Sequence, residues 1–337
     1  MNDYTERIKK IEAELERWLP CKIDPELADK IFPGAGKKVK AESINVLLEP
    51  VKDILSRGGK RWRPLLMTLI CESFGGKDAA VPLSPLVEFP HNASLIHDDI
   101  EDESDERRGK PAVHKIYGVD TAINSGSFFY FLSLCCIQHA ENIGEIKNRE
   151  LIYKLWSECL RRLHLGQSMD INWHRDISYI PSLEEYYLMC GMKTGSLARL
   201  AAELGACAAG APPEKARLLG EAAEKMGIGF QILDDVKNLT TGNPGKKRGD
   251  DIVEGKKSLP VLLYLNKYPE NQKKIFYYFY EAKTNGIAAP EVEELINSLN
   301  TGGVLTEAAE KGHALINEAR KAFDSHVLLD DFFSLIS

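Results

Sequence analysis

Ala93-Ser94-Leu95-Ile96-His97-Asp98-Asp99-Ile100-Glu101-Asp102 is the stretch from which the fold can be read. An apolar helical segment runs without a break into a group of carboxylates. Asp98 and Asp102 stand at i and i+4, so they share one helix face. The ordinary reading of such a run is a solvated acidic helix end. This pair, however, follows directly on Ala93, Leu95 and Ile96 in a core-like helix, where charge without a compensating cation is costly. Two carboxylates with no His or Cys ligand between them suit Mg²⁺, which prefers oxygen ligands and keeps waters and substrate phosphates.

Outward from this segment the period stays helical. Toward the N-terminus, Ile8, Ile11, Leu15 and Trp18 form a stripe stopped by Pro20. Asp24-Pro25 supplies an N-cap and first helical position. A Gly- and Lys-rich loop covers Pro33 to Lys40, and the helix marked by Ile44, Leu47, Leu48, Val51, Ile54 and Leu55 ends at Gly58-Gly59. Pro64 opens a helix that stops at Gly75-Gly76, and the next spans about Pro85 to Glu103. A charged loop then leads to about Val113, and Asp120 is expected to cap an unusually apolar helix reaching about Ala140. Further helices are expected over Asn148 to His174, Ser182 to Gly210 (Ser182 and Glu185 in capping-box spacing) and Pro213 to about Leu239, with shorter ones after Pro260. No stretch alternates long enough for a convincing strand. The expectation is an all-α, single-domain helical bundle over residues 1–337, its central helices buried.

Composition narrows the function classes. The 337 residues carry a net charge of −7, with 44% hydrophobic and 28% charged residues, ordinary for a globular chain. The acidic balance argues against a nucleic-acid binder working by bulk charge. An anionic ligand must be held by local Lys/Arg clusters or by metal ions. The 7 cysteines are odd in number and form no C-x-x-C, which points to a reducing, cytoplasmic location. The N-terminus lacks a signal-peptide h-region. The most apolar run, Ser127 to Ile137, is too short to span a membrane and reads as a core helix.

A second oxygen-rich group, Asp234-Asp235-Val236-Lys237-Asn238, follows the apolar Phe230-Gln231-Ile232-Leu233. Asp234 and Asn238 repeat the i, i+4 spacing. Two such pairs on two buried-looking helices could clamp one metal–diphosphate cluster. Basic groups accompany them: Gly59-Lys60-Arg61-Trp62-Arg63-Pro64, Arg107-Arg108-Gly109, Lys193-Thr194-Gly195 interrupting a helix, Lys246 and Lys256. Each alone is more often a solvated face. Together they suggest one diphosphate held by metal and another held by Lys/Arg alone. No P-loop or dinucleotide fingerprint is present.

Taken together, the motifs resemble those of the trans-polyprenyl diphosphate synthases of the class I isoprenoid synthase fold. Asp98-Asp99-Ile100-Glu101-Asp102, then Arg107-Arg108-Gly109 after four residues, matches that family's D-D-x-x-D and R-R-G. Gly58-Gly59-Lys60-Arg61-Trp62-Arg63-Pro64 matches G-G-K-R-x-R-P. His164-Leu165-Gly166-Gln167 with Asp170, Lys193-Thr194-Gly195, Phe230-Gln231 before Asp234-Asp235, Gly245-Lys246 and Glu254-Gly255-Lys256 match later blocks. The likeness covers about Ile44 to Leu265 and is nearest in flavour to geranylgeranyl diphosphate synthases. Asn238 departs from the wider family's last Asp, and Pro90 should kink the first motif's helix about two turns before Asp98.

The resemblance implies a Mg²⁺-dependent prenyltransferase, a homodimer, that condenses isopentenyl diphosphate with an allylic diphosphate. It implies Asp98, Asp102 and Asp234 as metal ligands, with Asp99, Gln167, Asp170, Asp235 and Asn238 supporting them. Arg107, Lys193, Thr194, Gln231, Lys246 and Lys256 would bind the allylic diphosphate, and Lys60, Arg63, His91 and Arg108 isopentenyl diphosphate. Lys193, Thr194 and Gln231 would place fixed dipoles beside the developing allylic cation. Small residues at Ala93 and Ser94, with Phe128 beyond them, would set product length near geranylgeranyl diphosphate. Alternatives are a farnesyl or longer-chain synthase, a terpene cyclase on the same fold, a non-catalytic partner subunit, and a di-iron bundle using Glu88-x-x-His91 and Glu310-x-x-His313. His97 and His114 read as structural, and Phe128, Phe129, Tyr130 and Phe131 as core or subunit interface.

Overall fold

Helices begin where the sequence places a cap. Asp24 Oδ1 accepts from the backbone N–H of Glu26 (2.9 Å) and Leu27 (2.7 Å), and Ser182 and Glu185 complete their reciprocal capping box. The computed structural model describes residues 4–142, 144, 148–242, 247–323 and 332–333. These divide into two compact units, one drawn from Met1–Ser157, Leu200–Gly220 and Asp324–Ile336, the other from Glu158–Arg199 and Glu221–Phe323.

The first unit contains α1 (Thr5–Trp18), α2 (Pro25–Ile31), α3 (Ala41–Ser56), α4 (Trp62–Ser73), α5 (Pro85–Glu101), α6 (Val113–Tyr117), α7 (Val119–Leu132) and α8 (Cys135–Asn142). Its core lies where α7 packs on α3 and α5, with α4 buried along most of its length. α5 continues through Pro90 to the first aspartate motif. The charged loop after it holds a minimal antiparallel ladder, β1 (Glu106–Arg107) on β2 (Lys110–Pro111), which brings Arg107 back toward α5. The sequence has no alternation there because the ladder is only two residues long.

Two expectations need correction. Gly118, not Asp120, is the N-cap of α7; Asp120 lies in the first turn, where a carboxylate suits the helix dipole, and accepts from Thr121 N at 2.8 Å. The apolar run to Ala140 is two helices. Ser133 Oγ donates back to Tyr130 O (2.6 Å), and the chain turns between α7 and α8.

The chain continues as α9 (Arg149–Arg175), α10 (Leu183–Cys190), a π-helical turn (Gly191–Gly195), α11 (Ser196–Ala208), α12 (Pro213–Thr240), α13 (Asp250–Glu254), α14 (Leu259–Lys267), α15 (Gln272–Asn285), α16 (Pro290–Thr301) and α17 (Val304–Phe323). The second unit's core gathers Tyr186, Ile232, Leu259, Phe279, Leu295 and Leu299. The fold is all-α apart from the short ladder. Among the described residues no helix is long and apolar enough to cross a membrane.

Candidate active site

In the first unit, α5 ends in three aspartates with two different environments. Asp98 and Asp102 are half-buried, whereas Asp99 is fully buried. Arg107 Nε donates to Asp99 Oδ1 at 2.8 Å and Oδ2 at 3.1 Å, and its Nη2 lies 3.7 Å from Asp98 Oδ2. Burial would lower the Arg107 pKa, but the bonds to Asp99 and the charges of Asp98 and Asp102 outweigh it and raise it. Asp99 thus holds Arg107 beside the pair formed by Asp98 and Asp102. That pair fits Mg²⁺ by its donor chemistry: hard oxygens on one helix face, with an arginine alongside. Among the described residues no group of three or more His, Cys, Asp or Glu is placed to hold a metal ion by itself.

Behind this end lies an arginine cluster. Burial first, then the charges of Arg63, Arg108, Arg61 and Arg107, push the His91 imidazole well below its usual pKa. Arg61 and Arg108 both adopt left-handed backbone, φ 47° and 53°, a conformation uncommon for residues with side chains. Arg61 is buried and donates to Glu88 Oε1 (2.9 Å), Glu12 Oε1 (2.7 Å) and Leu55 O (2.8 Å). Arg108 donates to Asn92 Oδ1 and Ile54 O, each at 3.1 Å, and to Gly58 O. Burial, helped by Arg61, Arg107 and Arg57 and opposed by Glu88, pushes Arg108 down to about 10. Asn92 Nδ2 in turn donates to Glu88 Oε1 at 3.0 Å. Arg63 is buried with its guanidinium 4.4 Å from the Trp62 ring, and Lys60 is exposed. The sequence reading placed Glu88 only in a di-iron motif. Its signal was the same one that singled out Asp98: a carboxylate set among Leu86, Val87 and Phe89.

Toward the start of α5, Ala93 has no exposed surface, while Ser94 is half-buried and donates to His91 O at 2.8 Å. Phe128 stacks on Phe32, centroids 5.4 Å apart. His97 stacks on Tyr130 at 5.8 Å. Glu310 and His313 of the second di-iron motif are both exposed on α17.

In the second unit the π-helical turn carries Lys193 and Thr194. It fits because its neighbours are bare: a Cβ on Gly166 would lie 2.4 Å from Lys193 N, and one on Gly227 2.7 Å from Gly195 Cα. The sequence expected an interruption here; a π turn is the form it takes, of a kind frequent at functional sites. Lys193 Nζ donates to Asp170 Oδ2 at 2.5 Å, and Lys256 Nζ lies 2.6 Å from Glu254 Oε2. Gln167 is half-buried on α9. Thr194 Oγ donates to Gln231 Oε1 at 2.7 Å, and Gln231 Nε2 to Asp235 Oδ1 at 3.0 Å. Burial, opposed by Tyr186 and Gln231 hydrogen bonds, pushes Asp235 up to about 6.

The second motif divides by exposure. Asp234 is exposed, while Asn238, one turn on, is fully buried. Asn238 Oδ1 accepts from Asp251 N at 3.3 Å and its backbone O from Gly249 N at 3.0 Å. Through these two oxygens Asn238 holds the start of α13. Gly245 and Lys246 lie outside the described residues.

Comparison with known proteins identifies the family of the chain. The family model described as Polyprenyl synthetase matches residues 44–299. The chain is 36% identical over 257 residues to a short chain isoprenyl diphosphate synthase of Methanocaldococcus jannaschii, covering 75% of this chain and 73% of that protein. It is 36% identical over 225 residues to a geranylfarnesyl diphosphate synthase of Aeropyrum pernix, covering 64% and 69%. A crystal structure of a geranylgeranyl pyrophosphate synthetase from Pyrococcus horikoshii superposes with a TM-score of 0.82 at 28% identity, over 98% of this chain and 95% of that one. The chain belongs to the polyprenyl synthetase family.

Proposed function

We propose that the protein is a prenyltransferase that joins isopentenyl diphosphate to an allylic diphosphate and releases a longer all-trans prenyl diphosphate, chiefly geranylgeranyl diphosphate. The observation that carries the reading is the cluster of Arg61, Arg63, Arg107 and Arg108 around His91, whose positive charge supports a metal-independent anion site near the first aspartate motif. A terpene cyclase has no need of that second anion site.

Lys60, Arg63, Arg108 and His91 bind isopentenyl diphosphate in this scheme. Asp98, Asp102 and Asp234 are the oxygen ligands for Mg²⁺, which when bound would supply Lewis-acid help to departure of the allylic diphosphate. Arg107, Lys193 and Lys256, each already beside a carboxylate, orient that diphosphate, with Lys246 as a further cation. Asp99, Asp170 and Asp235 hold Arg107, Lys193 and Gln231 in place, Asn238 steadies the α13 loop, and Gln167 completes the polar wall. Thr194 and Gln231 turn oxygens toward the developing positive charge. Ser94, Ala93 and Phe128 bound the tail.

The enzyme acts as one polyprenyl synthase domain; the family match runs uninterrupted through residues 44–299. It works as a homodimer through the solvent face of α7, where Val119, Ile123 and Phe131 are exposed. The free thiols of all its cysteines suit the cytoplasm. The test is direct: supply isopentenyl diphosphate with dimethylallyl, geranyl or farnesyl diphosphate and Mg²⁺, and chromatograph the products. A C20 diphosphate as main product is expected. Absence of any elongated product refutes the proposal, and a C15 or C25 product refutes its chain length alone.

A further inference from the structure

We infer that Tyr186 is a positioning residue for Thr194 and Gln231, an assignment that rests on the prenyltransferase reading above. Tyr186 is on α10, 1% exposed, and entered no sequence motif. Its hydroxyl donates to Asp235 Oδ2 at 2.6 Å, an oxygen that also accepts from Leu259 N at 3.3 Å. The other oxygen, Oδ1, accepts from Gln231 Nε2 at 3.0 Å. That bond decides which way the Gln231 amide faces. With Nε2 on Asp235, Oε1 faces Thr194 and takes its hydroxyl proton at 2.7 Å.

The consequence is a matter of polarity. An amide can exchange its oxygen and nitrogen by a half-turn, and a hydroxyl follows whichever group it meets. In the observed orientation the Thr194 proton is committed to Gln231, so the Thr194 oxygen offers lone pairs only. In the flipped orientation Nε2 would meet Thr194, the hydroxyl proton would be released, and the dipole beside the reacting carbon could reverse. A dipole aimed before the reaction stabilises developing charge without reorganising during it. Tyr186 anchors the carboxylate that selects the favourable orientation, two hydrogen bonds away from the substrate.

The test compares the wild-type protein, Tyr186→Phe, Thr194→Val and the double variant, assayed with isopentenyl diphosphate, geranyl diphosphate and Mg²⁺. Tyr186→Phe removes one hydroxyl and should lower kcat about tenfold, with each KM moving less than about threefold. The ratio of condensation product to allylic alcohol formed by water capture should fall, and this ratio does not depend on the fraction of folded enzyme. The double variant should be no slower than the worse single variant, since both act through one unit. An unchanged kcat and product ratio in Tyr186→Phe, or losses that multiply in the double variant, would overturn the assignment. A wild-type protein inactive with every primer would instead overturn the prenyltransferase reading, and this one with it.

Discussion

Glu88 shows how one residue can organise a charged site without facing a ligand. Its side chain, 3% exposed, holds Arg61 directly and Arg108 through Asn92, in a neighbourhood that also contains Arg63 and Arg107. Glu88→Gln keeps the shape and removes the charge. Breaking a buried pair on one side is strongly destabilising, so thermal and urea melts should show a loss of about 3 kcal/mol. Inorganic diphosphate should restore more stability to the variant than it adds to the wild type, because the cluster then lacks its internal anion. Equal melting temperatures, or equal gains with diphosphate, would show that Glu88 is not that counter-charge. At this scale the sequence exposed the residues whose spacing is unusual, Asp98 with Asp102 and Arg107 with Arg108. It hid Glu88 and Tyr186, whose importance lies in partners 27 and 49 positions away in the chain.

Element boundaries were legible where a local cap decides them, as at Asp24 and Ser182, and where glycines crowd, as at the turn carrying Lys193. The break between α7 and α8 was not, because every residue from Phe128 to Ile137 except Ser133 favours an apolar helix reading. A second hidden feature joins α9 to the segment before α14. Lys257, 4% exposed, donates from Nζ to Trp173 O and Gly255 O at 2.9 Å each and to Asp176 O at 3.4 Å, and lies 5.0 Å from the Phe279 ring. It caps the C-terminus of α9 with a positive charge, where the helix dipole welcomes one. Burial nevertheless pushes Lys257 down from 10.5 to about 8, with Asp176 and Asp170 resisting and Lys283 assisting. Between those two values the unfolded chain holds a proton that the folded chain has released. Folding stability therefore rises with pH through that window, by about 1.4 kcal/mol per pH unit. Relative to Lys257→Met, the wild type should gain stability from pH 8 to 10 in denaturant titrations. A difference that is flat or falls with pH would contradict this.

At the scale of the whole molecule, α7 has one buried face and one apolar face that meets solvent. Its inner face is given to Ala122, Ser125, Gly126, Phe129, Tyr130 and Leu132, all buried. Its outer face leaves Val119 49%, Ile123 46% and Phe131 66% exposed, at positions that recur every fourth or eighth residue. Such a stripe on a water-facing helix is costly unless something removes it from water, since each large apolar side chain is worth about 1.5–3 kcal/mol when fully buried. A second copy of the chain is the occupant we propose, because a two-fold contact presents the same stripe from both sides. Each side chain then counts twice, and so does each substitution. Ile123→Glu and Phe131→Glu place a carboxylate where the single chain already meets solvent, so the helical fold should survive, as judged by circular dichroism. Sedimentation should give the mass of two chains for the wild type and of one chain for either variant at micromolar concentration. A wild type of single-chain mass, or two variants that both remain paired, would show that α7 is not the contact.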